Sequence, residues 1–305
     1  MAKLTIVGAG NLGSQTAFYA ALKGIADIVL VDIVEGMPKG KALDMLQAMS
    51  IASSNVKITG SNGYEATEDS DVVIIPAGMP RKPGMTREDL LKTNSKIIKS
   101  VVPKIVKYSP NCVLIIVTNP LDAMVYLAYK LSGFPKNRVI GMAGVLDSAR
   151  FKTFIAQELN VDVNKVEAMV LGSHGDLMVP LINHCKVNGK PVKELIEEKR
   201  LGEIIERTRK GGGEILKLLK TGSAFFAPGL SAAEMAESII KDQKKILPCA
   251  ALCEGEYGVN GVFVGVPVKL GKNGIEEIIE IELTEEEKKV FEESVNHIKE
   301  IVKNI

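Results

Sequence analysis

Six residues, Gly8-Ala9-Gly10-Asn11-Leu12-Gly13, constrain this chain more than any others. They follow at once on the apolar β-type run Leu4-Thr5-Ile6-Val7 and lead into a helical pattern over residues 15–23 that stops at Gly24. In such a strand-to-helix turn, Gly8 permits the tight turn, Gly10 lets a pyrophosphate approach, and Gly13 lets helix pack closely on strand. The phosphates then meet the open helix N-terminus. A second strand at 27–31 ends in Asp32, 19 positions beyond Gly13. A carboxylate there can bind a ribose 2′-hydroxyl and repel a 2′-phosphate, which favours NAD over NADP.

The alternation continues with a helix at 38–49, strands at 56–59 and 71–75, a long helix at 88–107 perturbed near Pro103, a strand at 112–117, a helix at 121–131 and a strand at 137–140. Strands alternating with helices predict a mostly parallel sheet covered on both faces. At 305 residues the chain is long enough for two domains. The expected fold is therefore α/β: a doubly wound Rossmann sheet over 1–143, then an α+β domain over 144–305. Strand-like runs at 166–170, 178–187, 245–253 and 261–270 predict an antiparallel sheet in the second half, with helices at 203–219, 231–241 and 285–303. Gly211-Gly212-Gly213 falls inside the first of these helices and predicts a break or a close helix contact.

With 46% hydrophobic and 25% charged residues the chain reads as globular, and a net charge of +1 gives no broad footprint for nucleic acid or anionic lipid. No apolar run reaches the roughly 20 residues of a membrane span. Met1-Ala2-Lys3 runs straight into the first strand, so no signal peptide is expected. The four cysteines, Cys112, Cys185, Cys249 and Cys253, form no Cys-x-x-Cys pair and read as buried free thiols. These features predict a cytoplasmic protein.

Candidate chemistry gathers at loops beyond strand ends. Residues 78–87 form a glycine- and proline-punctuated loop with cations Arg81, Lys82 and Arg87, suited either to solvent or to closing over an anionic substrate. Asn119, in Thr118-Asn119-Pro120, follows a buried strand and is placed to touch a ligand. Asp147 and Arg150 stand three apart on a helix at 145–158 and share a face, either as a surface ion pair or toward a cleft. Among only three histidines, His174 sits between small residues in Gly172-Ser173-His174-Gly175-Asp176 at a strand end, where an imidazole can meet a bound molecule. His184 reads as a core histidine in an apolar run, and His297 as a surface residue of the last helix.

The glycine motif, Asp32, the Arg81/Arg87 loop, Thr118-Asn119-Pro120, Leu146-Asp147-Ser148-Ala149-Arg150 and Gly172-Ser173-His174-Gly175-Asp176 occur in the order seen in the lactate/malate dehydrogenase family, which the chain resembles over nearly its whole length. It is most similar to the malate-oxidising members of the lactate-dehydrogenase-like type. That resemblance implies NAD-dependent, reversible oxidation of (S)-malate to oxaloacetate, the reaction of the tricarboxylic acid cycle. His174 then matches the catalytic acid/base, Asp147 the carboxylate that orients it, Arg150 the clamp on the substrate's C1 carboxylate and Arg87 the group that polarises the carbonyl. Arg81 matches the position that separates dicarboxylate from monocarboxylate substrates. Asn119 matches a contact to substrate and cofactor, and Ala224, in the 221–228 segment, lines the pocket where lactate enzymes tend to carry threonine. Gly8, Ala9, Gly10, Asn11, Leu12, Gly13, Asp32, Asn94, Val117 and Thr118 match cofactor contacts. The resemblance also implies a homo-oligomer, a tetramer built from dimers or a dimer. The residues suggest no metal. The alternatives are an enzyme for lactate or another 2-hydroxy acid, disfavoured by Arg81 and Ala224, and an idle NAD-binding protein, which would have no need of His174, Asp147, Arg87 and Arg150 together.

Overall fold

The computed structural model describes residues 1–80, 84–303 and 305. Six parallel strands come first: β1 (Lys3–Val7), β2 (Asp27–Val31), β3 (Ile58–Ser61), β4 (Val72–Ile75), β5 (Val113–Ile116) and β6 (Val139–Gly141). They lie in the order β3-β2-β1-β4-β5-β6. The order reverses between β1 and β4, so the loops leaving their carboxyl ends part and open a crevice, the usual ligand position in a doubly wound sheet.

Helices α1 (Asn11–Leu22), α2 (Met37–Ile51), α3 (Arg87–Tyr108), α4 (Leu121–Ser132) and α5 (Gly144–Leu159) connect or follow these strands. β4 reads Val-Val-Ile-Ile and β5 Val-Leu-Ile-Ile, every residue buried. Period-two geometry sends their side chains to alternate faces. Val72, Ile74, Val113 and Ile115 join one core with α1 and α2, while Val73, Ile75, Leu114 and Ile116 join a second with α3 and α4. Pro103 lies within α3, which runs through it as one helix.

The second half adds β7 (Val166–Glu167), β8 (Val170–Gly172), β9 (Met178–Pro180), β10 (Lys186–Val187), β11 (Lys190–Pro191), α6 (Glu198–Leu219), α7 (Phe226–Ile240), β12 (Lys245–Glu254), β13 (Asn260–Gly271), β14 (Gly274–Ile278) and α8 (Glu285–Val302). Its long antiparallel strands do not stand apart from the parallel sheet. β12 pairs with β6 at Ala250 and Gly141, and β13, β8, β9 and β14 follow, giving eleven strands in one sheet. A small antiparallel sheet, β11-β10-β7, lies outside it.

Three expectations need correction. The run at 166–170 splits into β7 and β8, and the run at 178–187 into β9, a turn and β10. The second break leaves His184 exposed, its Nε2 bonded at 2.9 Å to the Glu282 carbonyl, rather than in the core. The three glycines do not interrupt α6. Leu201, Ile204, Thr208 and Gly211 form its buried stripe, and a Cβ on Gly211 would stand 3.1 Å from Arg150 Cδ. The close contact is the outcome, and its partner is a candidate site residue.

Candidate active site

At the β1–α1 turn, Gly8 has φ +116°, a region that side-chain-bearing residues rarely adopt, and a Cβ there would strike Ala77. A Cβ on Gly13 would fall 1.8 Å from the Gly8 carbonyl oxygen, so the helix can start only with glycine at that place. Nothing lies within 4 Å of a Cβ on Gly10, and no side chain caps α1. The first amide groups of α1 therefore face open space that suits a pyrophosphate. Asn11 is exposed beside them, and Leu12 leans on the core.

Asp32 closes this loop from β2. Its Oδ2 accepts the Ala9 amide at 2.7 Å and its Oδ1 the Val34 amide at 3.0 Å. A carboxylate has further lone pairs for ribose hydroxyls. Lys41 of α2, which the sequence reading passed over, donates to the Ala9 carbonyl at 2.6 Å and to Ser14 Oγ at 3.0 Å. It braces the glycine turn from below. A lysine in a helix carries no signal of that task.

On the other side of the crevice, the loops after β4 and β5 are tied together. Thr118 Oγ1 bonds the Ile75 and Ala77 carbonyls at 3.0 and 2.8 Å, and the Val117 amide donates to Ile75. Asn94 is buried beneath them. Its Nδ2 donates to the Asn119 carbonyl at 2.6 Å and the Met79 carbonyl at 3.2 Å, and its Oδ1 accepts the Met79 amide at 2.8 Å. The amide thus fixes both loops from inside, while the Asn119 side chain stays exposed at the mouth.

The titratable set lies across the seam of the sheet. Val170 of β8 donates its amide to Ser148 Oγ on α5 at 2.9 Å, which docks the helix carrying Asp147 and Arg150 beside the strand leading to His174. Asp147, 2% exposed, spends both oxygens. Oδ2 is 2.8 Å from His174 Nδ1 and Oδ1 accepts from Arg150 at 3.2 Å. Asp147 is thus buried and Arg150 only 14% exposed, so this is not a solvated surface pair. An ionised carboxylate only accepts, so Nδ1 carries the ring hydrogen and Nε2 is left to take or give a proton. Burial works against a charged imidazole, but the charge and hydrogen bond of Asp147 outweigh it, with Arg150 opposing and Asp122 assisting. The His174 pKa is raised above the ordinary histidine value.

Two further ties hold the His174 loop. The Ser173 amide donates to Ser294 Oγ of α8 at 2.6 Å, and the His174 amide donates to Asp122 Oδ2 of α4 at 3.2 Å. Ser294 and Asp122, and the docking role of Ser148, have no local sequence signal because each acts on backbone far away in the chain. Arg87 stands at the first position of α3, where the reciprocal Thr86–Asp89 capping box starts the helix, and bonds Asp176 Oδ2 at 2.5 Å. Both ends of that pair are exposed, so it joins α3 to the His174 loop without fixing either strongly. Ala224 is half-buried on the loop between α6 and α7. Arg81 and Lys82 lie outside the described residues.

Family models for the NAD-binding domain and for the alpha/beta C-terminal domain of lactate/malate dehydrogenase match residues 2–141 and 144–305. The chain is 55% identical to a malate dehydrogenase of Geobacillus sp. (strain WCH70) over 303 residues, 99% of this chain and 97% of that protein. The solved malate dehydrogenase of Salinibacter ruber is similar at TM-score 0.95 and 50% identity, covering 99% of this chain and 97% of that one. A lactate dehydrogenase of Cryptosporidium parvum, complexed with lactic acid and nicotinamide adenine dinucleotide, is similar at TM-score 0.96 and 45% identity, with coverage of 99% and 97%.

Proposed function

The chain belongs to the lactate/malate dehydrogenase family, and from that membership we propose that it works as an NAD-dependent malate dehydrogenase, interconverting (S)-malate and oxaloacetate. The observation that carries the assignment of roles is the buried Asp147 carboxylate shared between His174 Nδ1 and Arg150. One carboxylate thereby orients a proton carrier and a planar guanidinium toward the same small molecule.

Oxidising a secondary alcohol removes a hydride from carbon and a proton from oxygen, and NAD, when bound, takes the hydride. His174 Nε2 takes the proton, and Asp147 stabilises the imidazolium that results. Arg150 binds the C1 carboxylate through two parallel hydrogen bonds. In the reverse direction Arg87 turns from Asp176 to the ketone oxygen and stabilises the charge that grows there. Arg81 matches the second carboxylate of a four-carbon diacid, and Ala224 leaves room for it. Asn119 contacts substrate and nicotinamide from the crevice wall. Gly8, Ala9, Gly10, Asn11, Leu12 and Gly13 cradle the pyrophosphate and Asp32 the ribose, with Val117, Thr118 and Asn94 shaping the wall opposite. Residues 1–143 serve the cofactor and 144–305 the substrate, a division supported by the extents of the two family models.

The exposure of Leu43, Leu46 and Ile51 on α2 supports a homo-oligomer formed with further copies, a tetramer built from dimers or a dimer. A monomeric mass by light scattering would overturn that. No helix among the described residues is long and apolar enough to cross a membrane. Four buried free thiols support a reducing, cytoplasmic setting. The deciding assay follows NADH absorbance with oxaloacetate and with pyruvate side by side. Faster turnover of oxaloacetate is expected; preference for pyruvate would move the chain to the lactate enzymes, and inactivity on both would sink the reading.

A further inference from the structure

Asp122 is not needed by the reaction as described, yet its carboxylate is buried behind His174. It is the second residue of α4 and 7% exposed. Oδ2 accepts the His174 backbone amide at 3.2 Å, while Oδ1 is buried with no hydrogen-bond partner among the described residues. A buried carboxylate with an unmet oxygen is costly. A neutral serine or asparagine could accept one backbone amide at far lower cost, so the hydrogen bond alone does not account for an acid here.

The charge balance does. When His174 carries its proton, the pocket holds two partly buried cations, the imidazolium and the Arg150 guanidinium, both leaning on the buried Asp147. One shared carboxylate leaves a net positive charge in a site only partly open to solvent, and that charge tends to expel the proton. Asp122 makes the count even. The first turn of α4 suits it, because the helix dipole favours an anion there. Among the described residues, the other charged groups near the pocket are matched among themselves: Arg87 with Asp176 at its mouth, and Arg209 of α6 with Glu206. From α8 the contact to this loop is the neutral Ser294 hydroxyl.

We propose that Asp122 is a positioning residue for His174: through Oδ2 it pins the backbone of the His174 loop, and its buried charge is the second anion that keeps a proton on the imidazole while a ketone substrate is awaited. This rests on the proposed reading of His174 as the acid/base. Burial brings the Asp122 carboxyl up to about 7, with the nearby His174 pulling it down. The two groups are neighbours whose charges act on each other, so a proton gained by one is a proton discouraged on the other.

The test is a direct titration of the imidazoles by NMR in histidine-labelled protein. The chain has only three histidines, and His174→Asn identifies the resonance. Asp122→Asn keeps an acceptor for the amide and loses the charge. The His174 pKa should fall by about one pH unit, a tenfold loss of proton affinity, while His184 and His297 stay still and report intact folding. The alkaline limb of kcat/KM for oxaloacetate reduction should move down with it. An unmoved His174 titration overturns the proposal. Should Asp122→Asn not fold, the reciprocal measurement leaves Asp122 untouched: in His174→Asn its carboxyl should titrate higher than in the native chain, and an unchanged value overturns the proposal equally. These titrations need no turnover. Inactivity of the native protein on oxaloacetate would therefore count against the functional reading, whereas native activity with an unmoved titration would count against Asp122 alone.

Discussion

Replacing Asp147 by asparagine changes one oxygen to a nitrogen at a side chain that is 2% exposed and engaged on both sides. The amide fits the space but cannot serve both neighbours. With its oxygen toward Arg150, its NH2 faces His174 Nδ1, which must then accept; the ring hydrogen moves to Nε2 and the base is lost. With its oxygen toward His174, the NH2 faces the Arg150 guanidinium, donor against donor. Either way one charge-assisted hydrogen bond disappears, worth about 1.5–3 kcal/mol, and a partly buried cation is left without its anion, which raises the loss toward roughly 3–5 kcal/mol. At about 1.4 kcal/mol per decade, kcat/KM for oxaloacetate should fall by roughly 10²- to 10³-fold or somewhat more. NADH affinity, measured by fluorescence titration, should stay within about twofold, since no cofactor residue bonds Asp147. A kcat/KM within about threefold of native would refute the shared-carboxylate reasoning.

Cofactor choice should follow Asp32. The native enzyme is expected to prefer NADH over NADPH by about ten- to a thousandfold in efficiency, or roughly 1.4 kcal/mol per decade, and equal efficiencies would contradict it. Arg81→Gln should lower oxaloacetate efficiency at least ~10-fold and relatively favour pyruvate, while Lys82→Gln does little. An unchanged oxaloacetate-to-pyruvate ratio in Arg81→Gln would rule that assignment out. Gly211→Ala sets a methyl 3.1 Å from Arg150 Cδ and forces the guanidinium aside. KM for oxaloacetate should rise by about three- to tenfold with kcat less affected, because small misplacements at a clamp are felt strongly; an unchanged KM would show the contact to be slack.

The parts of this fold visible in the chain were those encoded by neighbours in sequence. β1, the glycine turn and α1 announce themselves through apolar periodicity and three glycines, and β2 through its terminal Asp32. Asp147 and Arg150 are one helical turn apart, so helix geometry alone puts them on one face. What was hidden depends on distant partners. Asp122 meets His174 from 52 positions away and Ser294 meets Ser173 from 121. Nothing local distinguishes either from an ordinary helical acid or serine. The stretch 166–187 misled because its apolar residues feed β7, β8, β9 and β10 in two different sheets, and a plain hydrophobic run cannot reveal where pairing changes. β14 was missed because Gly-Ile-Glu-Glu-Ile is short and charged, and the long partner strand β13 is what makes it a strand.

The pairing of Gly141 with Ala250 reaches beyond topology. Leu4 and Ile6 from one end of the chain share a core with Val264, Phe291 and Ile298 from the other. The two halves share this core and are expected to unfold as one cooperative unit. A ligand that binds only the native state stabilises the whole of what it is coupled to, by about 2.7 kcal/mol at a hundredfold excess over Kd. NAD, if it binds at the glycine turn as proposed, should therefore delay the melting of strands it never touches, and calorimetry should record one transition that moves upward intact as cofactor is added, the far helix α8 surviving to the same temperature as β1.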